Sequence, residues 1–217
     1  MSNLDVYYVY PSCNAERHNE TVERWRKQGY KVGVLTNGPM IMDVDFSIWE
    51  PVYQGYWKSV NMLCKALVER ADVIVVGADD IHPDPNLTAQ EIAGQFLEHF
   101  PGGYGVMQPT GDDLDGTDRI CGSPWLGSAW IREGYHGEGP YWGGYGHYYA
   151  DEEMFEVARD RRVLWQRDDL TQYHDHWIRK GADAKTDYQI YNNGYWDQDK
   201  ELFRDRRAKN FPGSNRI

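Results

Sequence analysis

Cysteine is scarce and unpatterned in this chain of 217 residues. Cys13, Cys64 and Cys121 are odd in number, far apart, and contain no Cys-x-x-Cys pair. That gives neither a zinc knuckle nor a disulfide framework, so a reduced, cytoplasmic setting is expected. Positive charge is short as well: 23 Lys and Arg stand against 34 Asp and Glu, a net charge of −11. Nucleic-acid binding draws on phosphate neutralisation by Lys and Arg, so the balance weighs against DNA or RNA as partner and suits a cation site better. No apolar run approaches the roughly 18 residues of a membrane span. The N-terminus turns polar within its first residues, so no signal peptide is expected either.

What is present is globular: 41% hydrophobic and 26% charged residues, in a length suited to one α/β domain. Sixteen Tyr and nine Trp exceed what a core of this size uses. Such rings suit open binding grooves, having an apolar face and a polar handle, although many simply pack a sheet.

The first half alternates strand and helix signals. Val6 to Tyr10 is β-rich and stops at Pro11. A polar helix is expected from about Ala15 to Gln28, then a strand from Lys31 to Leu35 closed by Asn37-Gly38-Pro39. Val60, Leu63, Cys64 and Leu67 recur at helical spacing between about Lys58 and Glu69. Asp72 to Val76 is an apolar run without alternation, the mark of a central strand covered on both faces. Thr88-Ala89-Gln90-Glu91 has the form of a capping box, and Tyr104 to Met107 reads as a further strand. Alternating β and α units argue for one mainly parallel sheet, mixed at its edge and flanked by helices. In such sheets ligands sit at the carboxyl ends of strands, which points to the loops after Tyr10, Leu35 and Val76. The second half changes character. Residues 122–149 are rich in Gly and aromatics, a helix is expected from Asp151 to about Arg161 with a short strand near Val163 to Trp165, and a polar helix from Asp197 to Arg207.

Three groups could carry chemistry. Asp79 and Asp80 follow the central strand directly. Hard divalent cations want carboxylate oxygens and ligand phosphates, which such a pair supplies; a plain Asp-Asp turn before Pro83 is the competing account. Asp151-Glu152-Glu153 opens a helix, where the dipole favours acids on its own, and one of the three could be a general base. His174 and His176, two apart, lie on one side of an extended segment, as metal ligands or as surface residues.

In this order the motifs resemble the glycosyltransferase-A fold, and within it glycosyltransferase family 2. The resemblance covers most of the chain: Pro11, Asn14 and Arg17 after the first strand, Lys58 and Asn61 on a helix, Asp79-Asp80, a Gly/Trp segment, the acidic triplet, then His174 and His176. It implies a single glycosyltransferase domain over 1–217, with residues 1–110 binding a nucleotide-sugar, UDP-linked above all, and 111–217 binding the acceptor and catalysing transfer. Asp79-Asp80 looks like the Asp-x-Asp motif, with Ala78 where its first Asp often stands, and would set Mn²⁺ or Mg²⁺ against the donor diphosphate. Asp80 is the implied ligand, Asp79 a ligand or ribose contact, and His174 or His176 completes the shell. Pro11, Asn14, Arg17, Asp43, Lys58 and Asn61 are the implied donor contacts. The triplet resembles the family's Glu-Asp base motif, with Ala150 in place of the leading Glu. Asp151 is the preferred base, and Glu153 the base in an alternative register. The expected reaction is inverting transfer to a hydroxyl acceptor, a glycan rather than a nucleobase in DNA, with the glycines of 134–146 letting the aromatic segment move as a lid. Two other readings stand beside it: a sugar-phosphate nucleotidyltransferase of the same fold, which would want a glycine-rich loop that residues 11–17 lack, and a non-catalytic carbohydrate-binding or nucleotide-binding module.

Overall fold

The computed structural model describes residues 3–38, 43–114, 116–181 and 191–214. Pro39, from the turn expected after the second strand, lies outside them. Strand β1 (Val6–Pro11) leads to helix α1 (Ala15–Lys27), β2 (Lys31–Thr36), β3 (Phe46–Trp49), α2 (Tyr56–Leu67), β4 (Val73–Val76) and β5 (Ile81–His82). Then follow α3 (Ala89–His99), β6 (Val106–Pro109), β7 (Trp125–Gly127), α4 (Ser128–Glu133), α5 (Ala150–Asp160), β8 (Leu164–Arg167), β9 (Tyr173–His174), α6 (Trp177–Lys180) and α7 (Trp196–Ala208).

Seven strands form one sheet in the order β3-β2-β1-β4-β7-β6-β8. Neighbours are parallel except at β7, which runs antiparallel to both β4 and β6. The sheet is therefore mainly parallel and mixed, with helices on both faces. From β1 the chain first builds outward through β2 and β3, then returns to place β4 on the other side of β1. Such a reversal opens a crevice at the carboxyl ends of β1 and β4, where open α/β sheets bind ligands.

Alternate residues of the same strands serve the two faces. Val9, Leu35, Ile74 and Val76 pack with Trp57, Leu63 and Leu67 of α2 and Met154 of α5. Tyr8, Tyr10, Val32, Val34, Val73 and Val75 pack with Trp25 of α1 and Ile92 and Phe96 of α3. Fully burying each such side chain contributes roughly 1.5–3 kcal/mol. Local signals agree at the helix starts. Asn14 caps α1 by accepting from the Arg17 N–H at 3.1 Å, and Thr88 and Glu91 form a reciprocal capping box on α3.

The expected strands and helices are present within a residue or two. Strands β3, β5, β7 and β9 were not expected. Each has four residues or fewer and takes its conformation from its partner rather than from its own pattern, as Trp125-Leu126-Gly127 does when wedged between β4 and β6. Among the described residues, no helix is long and apolar enough to cross a membrane.

Candidate active site

The crevice is built on the turn that leaves β4. Every carbonyl from Gly77 to Ile81 accepts a hydrogen bond from elsewhere in the fold. Tyr56 Oη donates to Gly77 at 2.8 Å and Tyr8 Oη to Ala78 at 2.6 Å. Thr21 Oγ1 donates to Asp79 at 2.8 Å, the Asp175 N–H to Asp80 at 2.8 Å, and Trp25 Nε1 to Ile81 at 2.9 Å. Gly77 must be glycine here, because a Cβ would sit 2.2 Å from Tyr8 Oη. With the carbonyls engaged, the turn presents its two carboxylates.

Those carboxylates are held differently. Asp79 accepts from Ser12 Oγ at 2.7 Å and meets Arg17 at 3.5 Å. Asp80 meets His174 Nε2 at 3.3 Å and Arg17 at 3.8 Å. Strand pairing makes the His174 contact: β5 runs antiparallel to β9, with Ile81 opposite His174. The backbone of His174 is fixed in turn, its N–H donating to Asp112 at 3.0 Å and its carbonyl accepting from Arg179 Nε at 2.9 Å. Arg179 also pairs with Asp112 and Asp113. The His176 ring lies 4.8 Å from that of His174, centroid to centroid, and its Nδ1 caps α6 through the Ile178 N–H.

Burial pulls both carboxyls upward, and the neighbours decide the outcome. At Asp79 burial prevails over Ser12 and Arg17, and the carboxyl sits above its ordinary range. At Asp80 burial is outweighed by His174, Arg17 and His176, and the carboxyl is held below it. Asp80 is thus the committed anion of the pair. Among the described residues, no three His, Cys, Asp or Glu side chains already converge as a complete metal cage. What exists is a preassembled pair, Asp80 and His174, with His176 alongside.

The acidic triplet divides three ways. Asp151 and Glu152 are partly exposed at the start of α5. Burial and the adjacent Asp151 drive the Glu152 carboxyl far above its ordinary range, toward its neutral form. Glu153 is fully buried, accepting from Tyr145 Oη at 2.8 Å and from Arg206 Nε and Nη2 at 2.7 Å each. Its carboxylate is spent on joining α5 to α7, away from solvent.

The glycine-aromatic segment is fastened rather than lid-like, contrary to expectation. Asn61 holds Tyr141 at both backbone groups, at 2.7 and 3.1 Å. Asp199 of α7, itself fully buried, accepts from the N–H groups of Gly146, His147 and Tyr148 at 2.8–2.9 Å. Trp57 Nε1 donates to the His147 carbonyl at 2.6 Å. The glycines serve close approach: a Cβ on Gly146 would lie 2.2 Å from Tyr195, and one on Gly139 2.7 Å from Asn61. The segment links the two carboxylate sites, since the His147 ring stands 6.4 Å from Tyr56, which bonds Gly77, and feels the charge of Asp151.

The structure thus brings Arg17, Asp79, Asp80, His174 and His176 together, with Pro11 and Asn14 at the end of β1. Asn61 is spent on Tyr141, and exposed Lys58 runs along Gly143. Asp43 is 89% exposed and pairs with Arg26 at 3.0 Å on the outer side of α1. Ser12, Tyr8, Thr21 and Tyr56 shape the site without any sequence signal, because their work is done on distant backbone and carboxylate oxygens. Asp112 and Arg179 act likewise on His174.

This sheet order, with an acidic turn at the reversal point, is the architecture of nucleotide-diphospho-sugar transferases: the chain has the glycosyltransferase-A fold. No family model matches the sequence, and no curated protein matches it. Solved structures do match in shape. The catalytic domain of Drosophila beta-1,4-galactosyltransferase 7, in complex with xylobiose, aligns with a TM-score of 0.54 at 13% identity, over 82% of this chain and 74% of that one. A mutant of the Drosophila enzyme, in complex with manganese, UDP-Gal and xylobiose, aligns at 0.52 and 12% identity, over 84% and 76%. A 4-diphosphocytidyl-2C-methyl-D-erythritol synthase from Anaerococcus prevotii aligns at 0.48 and 9% identity, over 90% and 97%, too loosely to argue from.

Proposed function

We propose that the chain is an inverting, metal-dependent glycosyltransferase that moves a sugar from a nucleoside-diphosphate sugar, UDP-linked by preference, to the hydroxyl of a glycan. The observation that carries this is the contact of Asp80 with His174 at 3.3 Å, beside Arg17, at the carboxyl ends of β1 and β4. The Drosophila complex with manganese and UDP-Gal has the same fold and supports the choice of donor and metal. The donor set fits Mn²⁺ better than Mg²⁺, because imidazole joins carboxylate in it. Asp80, His174 and His176 would hold the ion, whose chemistry is Lewis-acid neutralisation of the departing diphosphate.

The chain's own groups do the rest. Arg17, beside Asp79 and Asp80, would offer a cation to the diphosphate, and Asp79, tied to Ser12, would contact the ribose. Asp151 takes the proton of the acceptor hydroxyl as its oxygen bonds to the anomeric carbon and the bond from that carbon to the diphosphate oxygen breaks. Attack from the face opposite the leaving group inverts the centre. Glu152, driven toward its neutral form by burial, stands beside Asp151. Residues 1–110 bind the donor and 111–217 the acceptor, within one domain in a cytoplasmic setting.

The test is calorimetric titration with nucleoside diphosphates and nucleotide-sugars, in Mn²⁺ and then in EDTA. Micromolar UDP binding that vanishes with EDTA is expected. A folded protein that binds none of them removes the transferase reading and leaves Asp79-Asp80 as a turn.

A further inference from the structure

A second aromatic surface begins where the candidate base ends. Tyr149, the residue before α5, stands with φ of 72° and lays its ring 5.4 Å from Trp196 and 5.2 Å from Phe203. The Tyr148 ring meets Trp196 edge-on at 4.9 Å, and its Oη donates to Asn193 Oδ1 at 3.0 Å. Beyond them Tyr191 pairs with Tyr195, ring centroids 5.8 Å apart and hydroxyls 3.1 Å apart. Although tied into this cluster, Trp196 remains 45% exposed and Tyr191 68%. Two groups of rings, Tyr148-Tyr149-Trp196 and Tyr191-Tyr195, leave large aromatic faces open to water on either side of Asn193, and such faces mark a binding surface.

Its charge says what it binds. Burial raises the Tyr149 phenol above its ordinary range, and the acidic 151–152 pair, Asp197 and Asp199 outnumber the one cation, Arg204, around it. Such a face repels phosphodiesters and acidic polymers. A neutral sugar ring presents C–H groups to an aromatic face and hydroxyls to carboxylates and amides, and this surface supplies both. The backbone of the face is rigid, because Asp199 holds the 146–148 N–H groups one helical turn from Trp196. Rings fixed in advance lose little freedom when a ligand stacks on them.

We propose that Trp196 and Tyr191, with Tyr148 and Tyr149, form an extended acceptor subsite for a neutral oligosaccharide, so that the protein lengthens an existing glycan chain rather than a monosaccharide. This rests on the transferase reading above: the sugar carrying the attacking hydroxyl lies at Asp151 and the preceding sugars run over Trp196 toward Tyr191.

The experiment titrates neutral mono- to tetrasaccharides of xylose, glucose, galactose and mannose into the protein with EDTA and no nucleotide, read by Trp fluorescence and saturation-transfer NMR. Affinity for at least one series rises with chain length, and Trp196→Ala and Tyr191→Ala each weaken trisaccharide binding by about tenfold. Tyr191 is exposed enough that its loss leaves the fold intact, which near-ultraviolet circular dichroism checks for both variants. Failure of every oligosaccharide to bind, equal affinity for mono- and trisaccharide, unchanged affinity in both variants, or preferential binding of single-stranded DNA each overturns the proposal. UDP binding in Mn²⁺ by the wild-type protein is measured separately. If that fails while oligosaccharides bind, the transferase reading falls and the subsite stands as a carbohydrate-binding face.

Discussion

Replacing Arg206 by Met separates a structural carboxylate from a chemical one. Glu153 has no solvent exposure, and the Arg206 side chain has 9%. Two bonds of 2.7 Å join them, and the guanidinium lies 3.7 Å from the centroid of the Trp142 ring. Removing the cation strands a buried anion, which costs about 3–5 kcal/mol. In a domain of this size that lowers Tm by roughly 6–20 °C. Glu153→Gln keeps the shape and the Tyr145 bond but loses the charge assistance, at roughly 2–4 kcal/mol. The double variant Glu153→Met with Arg206→Met removes both charges and recovers most of the loss, because an apolar pair of similar volume replaces a buried ion pair at little net cost. Urea unfolding followed by fluorescence gives all three values, and single-turnover transfer with the folded variants gives the chemistry. A Glu153→Gln protein of wild-type stability that has lost transfer a hundredfold would show that Glu153, not Asp151, is the base.

Asp151→Asn keeps metal-dependent donor binding and lowers the rate of transfer by roughly a hundredfold or more, measured by single-turnover assay. His174→Ala combined with His176→Ala weakens Mn²⁺ binding by at least tenfold in calorimetry; unchanged affinity would make both histidines structural. Burial lowers the His18 pKa to about 4, and burial also pulls His82 and His147 down. The unfolded chain therefore takes up protons first as pH falls from about 6.5, and stability declines, for His18 down to about pH 4. His18→Met flattens that slope in pH-dependent urea melts. Gly77→Ala forces a Cβ onto Tyr8 Oη and costs about 1–3 kcal/mol, with donor binding weakened alongside.

Polar α1 showed by its place between Pro11 and Gly29, with Val22 and Trp25 on one side, and the alternation of β1, β2, α2 and β4 was legible because each has enough apolar residues to declare its own period. Strand β7 was not, since three residues carry no period, and its antiparallel setting exists only between β4 and β6. Asp79, Asp80, His174 and His176 stood out by order along the chain, and pairing of β5 with β9 is what sets Asp80 against His174. Ser12 and Thr21 gave no signal: a hydroxyl bonding a residue 58 or 67 positions away looks like any other serine or threonine. Asn61 drew attention only through the family resemblance, as an implied donor contact, and its side chain is used on the Tyr141 backbone. The glycines of 134–146 suggested mobility by their number, whereas the space they leave is filled by Asn61 and Tyr195.

The anchoring of Gly146 to Tyr148 by Asp199, and of Glu153 by Arg206, also sets a timetable for biosynthesis. These bonds span about 50 positions and run from the candidate base forward to α7. A chain emerging from the ribosome can lay down β1, β2 and β4 early, but Asp80 meets His174 only once β9 has emerged, and the 146–153 stretch stays without its anchors until α7 is released. On the proposed reading, the stretch that carries the base would gain its anchors last, when α7 docks.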